Sequence, residues 1–476
     1  MRRSHQVTAA LLLVAIAAAA HASAPVLLTV NDAGDEGPGN CDSVCTLRDA
    51  IATVASGGLV DFAPQMLPAT ITLTHGELVI PKPLNILGPG AERLAISAAS
   101  ASRVIKLDAD SEAPIRIIGI TLRDGRVAGA KGGNGGKETG QSGQPGGPAE
   151  GGCVYSVNSS LDLEQTDVRN CVAEGGAGGA GASGVPHSGV GGPGGAGGSG
   201  GLARGGAIYC TVTIPGISNK LELHESSVTN GHAIGGAGGA GGRGGTGDFM
   251  GPGGTGGDGG EAYGGLIDWN TDKATLFDYA LVNDSTLADG AAIGGNGGNG
   301  GTPGGNPAYG GQTYGGLFHG GSMVSVDIGF STLANGNVLG GAGGNGNMAY
   351  DGFETGAAIY VNLTGQVGTQ SSVIVGPGPA PLCFADMRPS KVNIDQDGTC
   401  KAPMQGDVTL FRAPNPGAGR PHYMPAYGSA VIDAATTCNN PIQLLETDQL
   451  GTARPQGSTC DLGAIEADYV FVGEFN

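Results

Sequence analysis

Thr286-Leu287-Ala288-Asp289-Gly290 and Thr332-Leu333-Ala334-Asn335-Gly336 read almost as copies, and each runs into a glycine tract. Thr121-Leu122-Arg123-Asp124-Gly125 and Ser227-Val228-Thr229-Asn230-Gly231 have the same form, and Asn170 marks one more entry. The exits match as well: Gly151-Gly152-Cys153-Val154-Tyr155, Gly205-Gly206-Ala207-Ile208-Tyr209, Gly264-Gly265-Leu266-Ile267 and Gly315-Gly316-Leu317-Phe318. The markers Asp124, Asn170, Asn230, Asp289 and Asn335 stand 46, 60, 59 and 46 residues apart, and nearly all the variation lies in the glycine. A constant strand pattern with a variable insertion at one recurrent point is the signature of a solenoid.

Short apolar strands at solenoid spacing precede the repeats: Leu59–Phe62, Ile71–Leu73, Leu78–Ile80, Leu84–Leu87, Leu94–Ile96, Val104–Leu107 and Ile115–Leu122. Their two-residue alternation, with Gly, Pro and Asn at corners, predicts parallel strands on three faces per turn, and the repeated units then supply two such faces each. Leu161/Leu163/Val168, Leu221/Leu223/Val228 and Val326/Ile328/Leu333 share a phase and predict stacked inward ladders. The fold expected is all-β, a right-handed parallel β-helix. At its start, Thr46 and Asp49 have the spacing of a capping box, and Leu47, Ile51 and Val54 fall on one helical face that Gly57-Gly58 ends. Such a helix covers a first coil that would otherwise expose core and strand edges.

The insertions, near 126–151, 174–205, 235–264, 294–315 and 340–356, have a period of three. Gly235-Gly236-Ala237 through Gly244-Gly245-Thr246 runs out, breaks at Asp248–Pro252, and resumes as Gly253-Gly254-Thr255 through Gly259-Gly260. The second tract breaks around Val185-Pro186-His187 and the fourth at 303–307. Three residues per turn is the pitch of a polyproline-II-type helix, whose glycine edges let backbones approach closely. A leg of twelve such residues reaches about 37 Å at ~3.1 Å per residue. Legs leaving stacked coils would lie side by side as a polyglycine-II-like bundle, against the alternative of a floppy fringe.

Gly accounts for 95 of 476 residues. Arg2, Arg3, the apolar Ala9–Ala20 run and Ala20-His21-Ala22 predict a signal peptide over 1–22 and export, to the extracellular space, cell surface or periplasm. No later run is apolar and long enough for a transmembrane helix. Without Arg2 and Arg3 the 23 basic residues become 21 against 42 acidic, a net charge of about −21. That argues strongly against nucleic acid and anionic lipid as partners, so none is expected, and weighs against acidic polysaccharide unless basic residues cluster. Nine cysteines in an exported chain predict disulfides. Proximity suggests Cys41–Cys45, Cys383–Cys400 and Cys438–Cys460. Cys153, Cys171 and Cys210 remain, with one bridge among them and its partners open. No CxxC occurs and the eight His are dispersed, so neither metal nor cofactor is expected.

Cys45-Thr46-Leu47-Arg48-Asp49-Ala50-Ile51 resembles the CSLREA motif that opens many exported bacterial β-helix proteins. Gly428–Ala434, Asp448-Gln449-Leu450-Gly451-Thr452-Ala453-Arg454-Pro455 and Cys460–Glu466 resemble their terminal region, the choice-of-anchor Q domain. The resemblance covers roughly 27–125 and 383–466 and implies the pectin-lyase-like fold and export, with no established chemistry. The glycine tracts resemble mycobacterial PGRS tracts and the polyglycine sandwiches of phage tail-tip adhesins, in composition and period. The chain thus divides into the leader, an N-terminal cap (23–58), the β-helix with its insertions (59–375), a C-terminal capping region (376–466) and a tail (467–476).

Chemistry is sparse. Asn270-Thr271-Asp272 matches an element of polygalacturonases, whose inverting hydrolysis needs further carboxylates about 6.5–9.5 Å apart. No Asp-Asp pair, Gly-His-Gly or Arg-Ile-Lys accompanies it. Arg412-Ala413-Pro414 lacks the second Arg of pectate lyases, and Gly256–Gly260 lacks the rhythm of calcium-binding nonapeptides. No catalytic residue is assigned. Asp433, Asp448, Arg454, Asp461 and Glu466 are expected to form an end-cap network of turns and ion pairs. His187, Phe249, Met250, Tyr309, Tyr350 and Phe353, near breaks or return legs, are the candidate binding residues, because rings on rigid projections stack on sugars or pack on proteins. The function expected is a non-enzymatic, adhesin-like contact with polysaccharide or another cell-surface ligand. The alternatives are a polysaccharide lyase or glycoside hydrolase, and a passive or ice-surface protein, which the mixed X residues disfavour.

Overall fold

The computed structural model describes residues 26–37, 39–137, 139–270, 278–362, 364–390, 392–405, 408–412, 420–439 and 446–467. The leader, the tail from 468, Thr271-Asp272 and Ala413-Pro414 lie outside these. The chain winds as a right-handed parallel β-helix. One coil shows the plan. Val154–Val157 lies on face I, Ser159–Glu164 on face II and Asp167–Glu174 on face III; the insertion follows, and Ala203–Arg204 on face IV leads back to Ile208–Thr211 on face I. Among the described residues the faces hold eight, ten, thirteen and five strands. Each repeat thus supplies three faces and a two-residue fourth, one more long face than the aliphatic pattern predicts.

The predicted ladders are in register: Leu161, Leu221, Ala280 and Val326 stack, as do Leu163, Leu223, Val282 and Ile328, and Val168, Val228, Leu287 and Leu333. All are essentially inaccessible to solvent. The expected single strand Ile115–Leu122 is two strands, Ser111–Ile118 and Thr121–Arg123. Gly119, at φ +62°, makes the bend, and Gln165, Glu225, Asp284, Phe330 and Ser371 repeat it at positive φ in later coils. Just inside that corner Thr166, Ser226, Ser285, Ser331 and Ser372 form a buried ladder: each of the first four backbone N–H groups donates to the next hydroxyl. This satisfies polar groups that a β-helix would otherwise bury unpaired.

The five sequence markers all sit at left-handed φ, between +52° and +57°. That conformation suits Asn and Asp among side chains with a Cβ, and stacking adds a second reason for them. Asn170 Nδ2 donates to Asp124 Oδ1 at 3.2 Å, Asn230 Nδ2 to Asn170 Oδ1 at 2.8 Å, and Asn335 Nδ2 to Asp289 Oδ1 at 3.1 Å.

Helix α1 spans Leu47–Thr53 with the capping box formed by Thr46 and Asp49, and buries Leu47, Ala50 and Ile51. The three disulfides suggested by proximity are present, and Cys153–Cys171 is the fourth. Cys210 is free and buried.

The C-terminal region differs from an end-on cap. Its strands Cys383–Phe384, Met387–Ser390, Ile394–Asp395 and Met404–Gln405 continue faces I, II and III. The part from 420 runs along the flank of face III, where Gln449 bonds Ser227 and Thr286, the Ala464 N–H reaches Thr332, and the Gly463 N–H reaches the Ser371 carbonyl. The physical reason is the outward side of that face. Ala288, Phe330, Ala334, Val373 and Val375 form a second apolar cluster there, closed by Tyr423, Val431 and Leu462. Strands apolar on both sides need a second layer.

Candidate contact surfaces

The glycine tracts form a hydrogen-bonded array. In the third insertion, Gly235, Gly238, Gly241 and Gly244 donate to the carbonyls of Ile293, Asn296, Asn299 and Thr302 on the outgoing leg of the fourth. Gly236, Gly239, Gly242 and Gly245 donate to Gly201, Gly198, Gly195 and Gly192 on the returning leg of the second, all at 2.7–2.9 Å. Both glycines of each triplet are therefore donors, to different neighbours. The X residue points away from both, and its own N–H is met where a layer below offers a side chain: Ala180 N donates to Asn134 Oδ1, and Ala342 N to Asn296 Oδ1. A Cβ at Gly236 would lie 2.0 Å from the Gly176 carbonyl oxygen, so no other residue fits without displacing a leg.

On this mount the six candidate residues fall into two groups. His187, Phe249 and Met250 belong to the tips of the second and third insertions, which are joined. The Phe249 N–H donates to Gly189 O, its carbonyl accepts from Gly191 N, and His187 N donates to Thr246 O. Phe249 is 72% exposed, and His187, Met250, Val185 and Val190 beside it are exposed too. Tyr309, Tyr350 and Phe353 instead lie on the returning side of the fourth and fifth insertions, near their roots. Tyr309 and Tyr350 pair at 4.6 Å between centroids, and Phe353, 73% exposed, precedes the face IV strand Glu354–Thr355.

A further aromatic feature lies on faces I and IV. One outward column reads Lys106, Tyr155, Tyr209, Asp268, His319, Tyr360 and Phe384 in register, and its neighbour reads Glu150, Arg204, Tyr263 and Tyr314. Tyr155–Tyr209, Tyr263–Tyr314, His319–Tyr360 and Tyr360–Phe384 stack at 5.2–5.5 Å with planes within 17°. Arg103 lies over Tyr155, and Arg204 over Tyr263. Rings stacked this way cover each other's faces and turn only edges outward, so the column braces the coils more than it offers platforms. Its tyrosines were visible at the exits, but their stacking depends on a coil register that sequence alone does not display.

Within the column, fully buried Asp268 accepts from His319 Nδ1 at 2.6 Å, with Arg204 3.8 Å from its other oxygen. A carboxylate on Nδ1–H fixes the tautomer and leaves Nε2 as the basic atom. The local basic residues do not make this strip cationic, because Arg103 pairs with Glu77, Lys106 with Asp108 and Arg204 with Asp268.

The motif residues of the C-terminal region converge. Arg454 Nη1 donates to Glu466 at 2.9 Å, Glu466 N to Asp448, Asp461 N to Glu466, and Asp433 N to Asp461. Arg454 also reaches Asp284 at 3.4 Å, tying the network to the β-helix. Burial pushes the Asp461 carboxyl up to about 6. These residues hold the flank in place. On face II, Asp162, Glu222 and His224 bring possible ligand atoms within 4.8 Å of one another. Arg116, 2.7 Å from Asp162 and 2.9 Å from Glu164, already supplies the positive charge there.

No family model matches the chain, and no curated protein matches it. Among solved structures it is similar to pectate lyase Pel9A, with TM-score 0.30 and 15% identity over 93% of this chain and 96% of that one. It is also similar to the PL6 family alginate lyase AlyGC, with TM-score 0.19 and 10% identity over 93% of this chain and 60% of that one. These are likenesses of fold, and the chemistry of those enzymes does not come with them.

Proposed function

We propose that this chain is an exported, non-enzymatic β-helix that contacts a surface glycan through exposed rings mounted on a polyglycine-II-like bundle. The observation that carries this reading is Phe249, whose ring is exposed while its backbone N–H and carbonyl are both tied to the neighbouring insertion. A ring held this way contributes contact area without the entropy cost of ordering a loop. Four disulfides support an oxidising, extracellular setting. Purified protein incubated with a polysaccharide panel should retain a ligand without releasing products. Phe249→Ala combined with Met250→Ala should weaken retention about tenfold, the loss of one anchoring contact. Undiminished retention by that variant contradicts the tip reading.

A second reading, cleavage of a polysaccharide, is favoured by the Asp268–His319 pair. It predicts product release that is lost in His319→Gln while binding persists.

A further inference from the structure

Face II carries a depression that neither the tips nor the aromatic column explains. Its outward positions form two columns: Asp162, Glu222, Leu281, Asp327, Gly368 and Arg388 in one, and Glu164, His224, Asn283, Gly329, Gln370 and Ser390 in the other. In the first two of these coils both positions bear polar side chains, Asp162 with Glu164 and Glu222 with His224. At Gly329 and Gly368, diagonal neighbours on adjacent coils, no side chain is present. A cavity of about 180 Å³ opens there.

Its lining is chemically specific. Leu281 gives an apolar floor, 7% exposed, beside the ring of Tyr279. The Tyr279 hydroxyl donates to Asp327 Oδ2 at 2.9 Å, and burial together with this carboxylate raises the Tyr279 pKa, so the phenol stays protonated. Gln370 is 4% exposed, and its Nε2 is committed to the Asn439 carbonyl. Its Oε1 is buried with no hydrogen-bond partner among the described residues. Among the described residues, no Lys, Arg or His lines the cavity.

We propose that this depression is a binding site for one neutral, hydroxyl-rich ring, a hexopyranoside unit. A depression of about 180 Å³ has room to seat a single sugar ring. The exposed Asp327 carboxylate selects a ligand that donates hydrogen bonds, and its negative charge disfavours uronates and phosphates. An apolar floor under a rim of acceptors matches the two-sided character of a pyranose. The site shares its ligand class with the function proposed above, but is built from a different face and from residues remote in sequence from the tips.

The test is calorimetric titration of the full chain, from the predicted cleavage site onward, with methyl glycosides of glucose, galactose, mannose and xylose, and with glucuronate and glucosamine. At least one neutral glycoside should bind, about tenfold more weakly to Asp327→Ala and to Gly368→Val, whose side chain fills the depression. Melting curves show whether both variants fold, and Asp327 is exposed, so its truncation leaves the core intact. Phe249→Ala with Met250→Ala should leave this binding unchanged, which separates the site from the tips. No neutral binding, binding indifferent to both face II variants, or preference for glucuronate or glucosamine would each overturn the proposal.

Discussion

At the residue scale, the recurrent Asp and Asn were legible because two demands coincide on them: a left-handed backbone and a side chain able to bond its copy one coil away. The capping box at Thr46 was legible because it is local. Pairings such as Asp268–His319 and Tyr279–Asp327 were not, since their partners are 51 and 48 residues apart. The same holds for the choice of Cys171 over Cys210 as partner of Cys153. Burial raises the Cys210 thiol above its ordinary range, so the native protein should show no reaction with a thiol reagent and one equivalent after unfolding. Asp167 makes a second prediction. Burial pushes its carboxyl up to about 7, opposed by Arg169 at 3.2 Å. The unfolded chain releases that proton near pH 4. Between pH 4 and about 7 the native state therefore binds more protons than the unfolded state, and stability falls as pH rises through that window. Asp167→Asn should flatten this decline, by about 2 °C or more in Tm between pH 4.5 and 7.5. An unchanged slope would show that Asp167 is not its source.

At the element scale, the period of three identified the legs, but their hydrogen-bond partners are set by the stacking of coils that the tract itself does not encode. Both glycines of a triplet have defined acceptors, whereas the X side chain points outward, apart from residues such as Asn134 and Asn296 that accept an N–H from a neighbouring layer. Gly236→Ala should consequently destabilise by about 1–3 kcal/mol, the usual cost of overpacking, because its Cβ would meet the Gly176 carbonyl. Thr255→Ala, at an exposed X position, should stay within about 0.5 kcal/mol. Equal effects in denaturant titrations would mean that glycine in the legs is a matter of composition only. The C-terminal region shows the opposite limit of legibility. Its motif was readable as a network, but its position along face III follows from Ala288, Ala334, Val373 and Val375 needing cover, a demand made by residues far upstream.

At the scale of the molecule, a β-helix supplies a repeating corner, and the insertions turn that repeat into a second ordered body beside it. The strand pattern made the β-helix readable without the glycine, and the glycine then became readable because its roots were fixed. Whether the legs hold their array in solution decides whether Phe249 and its neighbours are mounted or merely tethered. Amide hydrogen exchange read by mass spectrometry measures this directly. Residues 235–246 and 294–302 should exchange orders of magnitude more slowly than an unfolded chain, approaching the face II strands Lys220–His224 and Asp278–Asn283. Exchange of both tracts at the unfolded rate, while those strands remain protected, would contradict the ordered array and the contact surface built upon it.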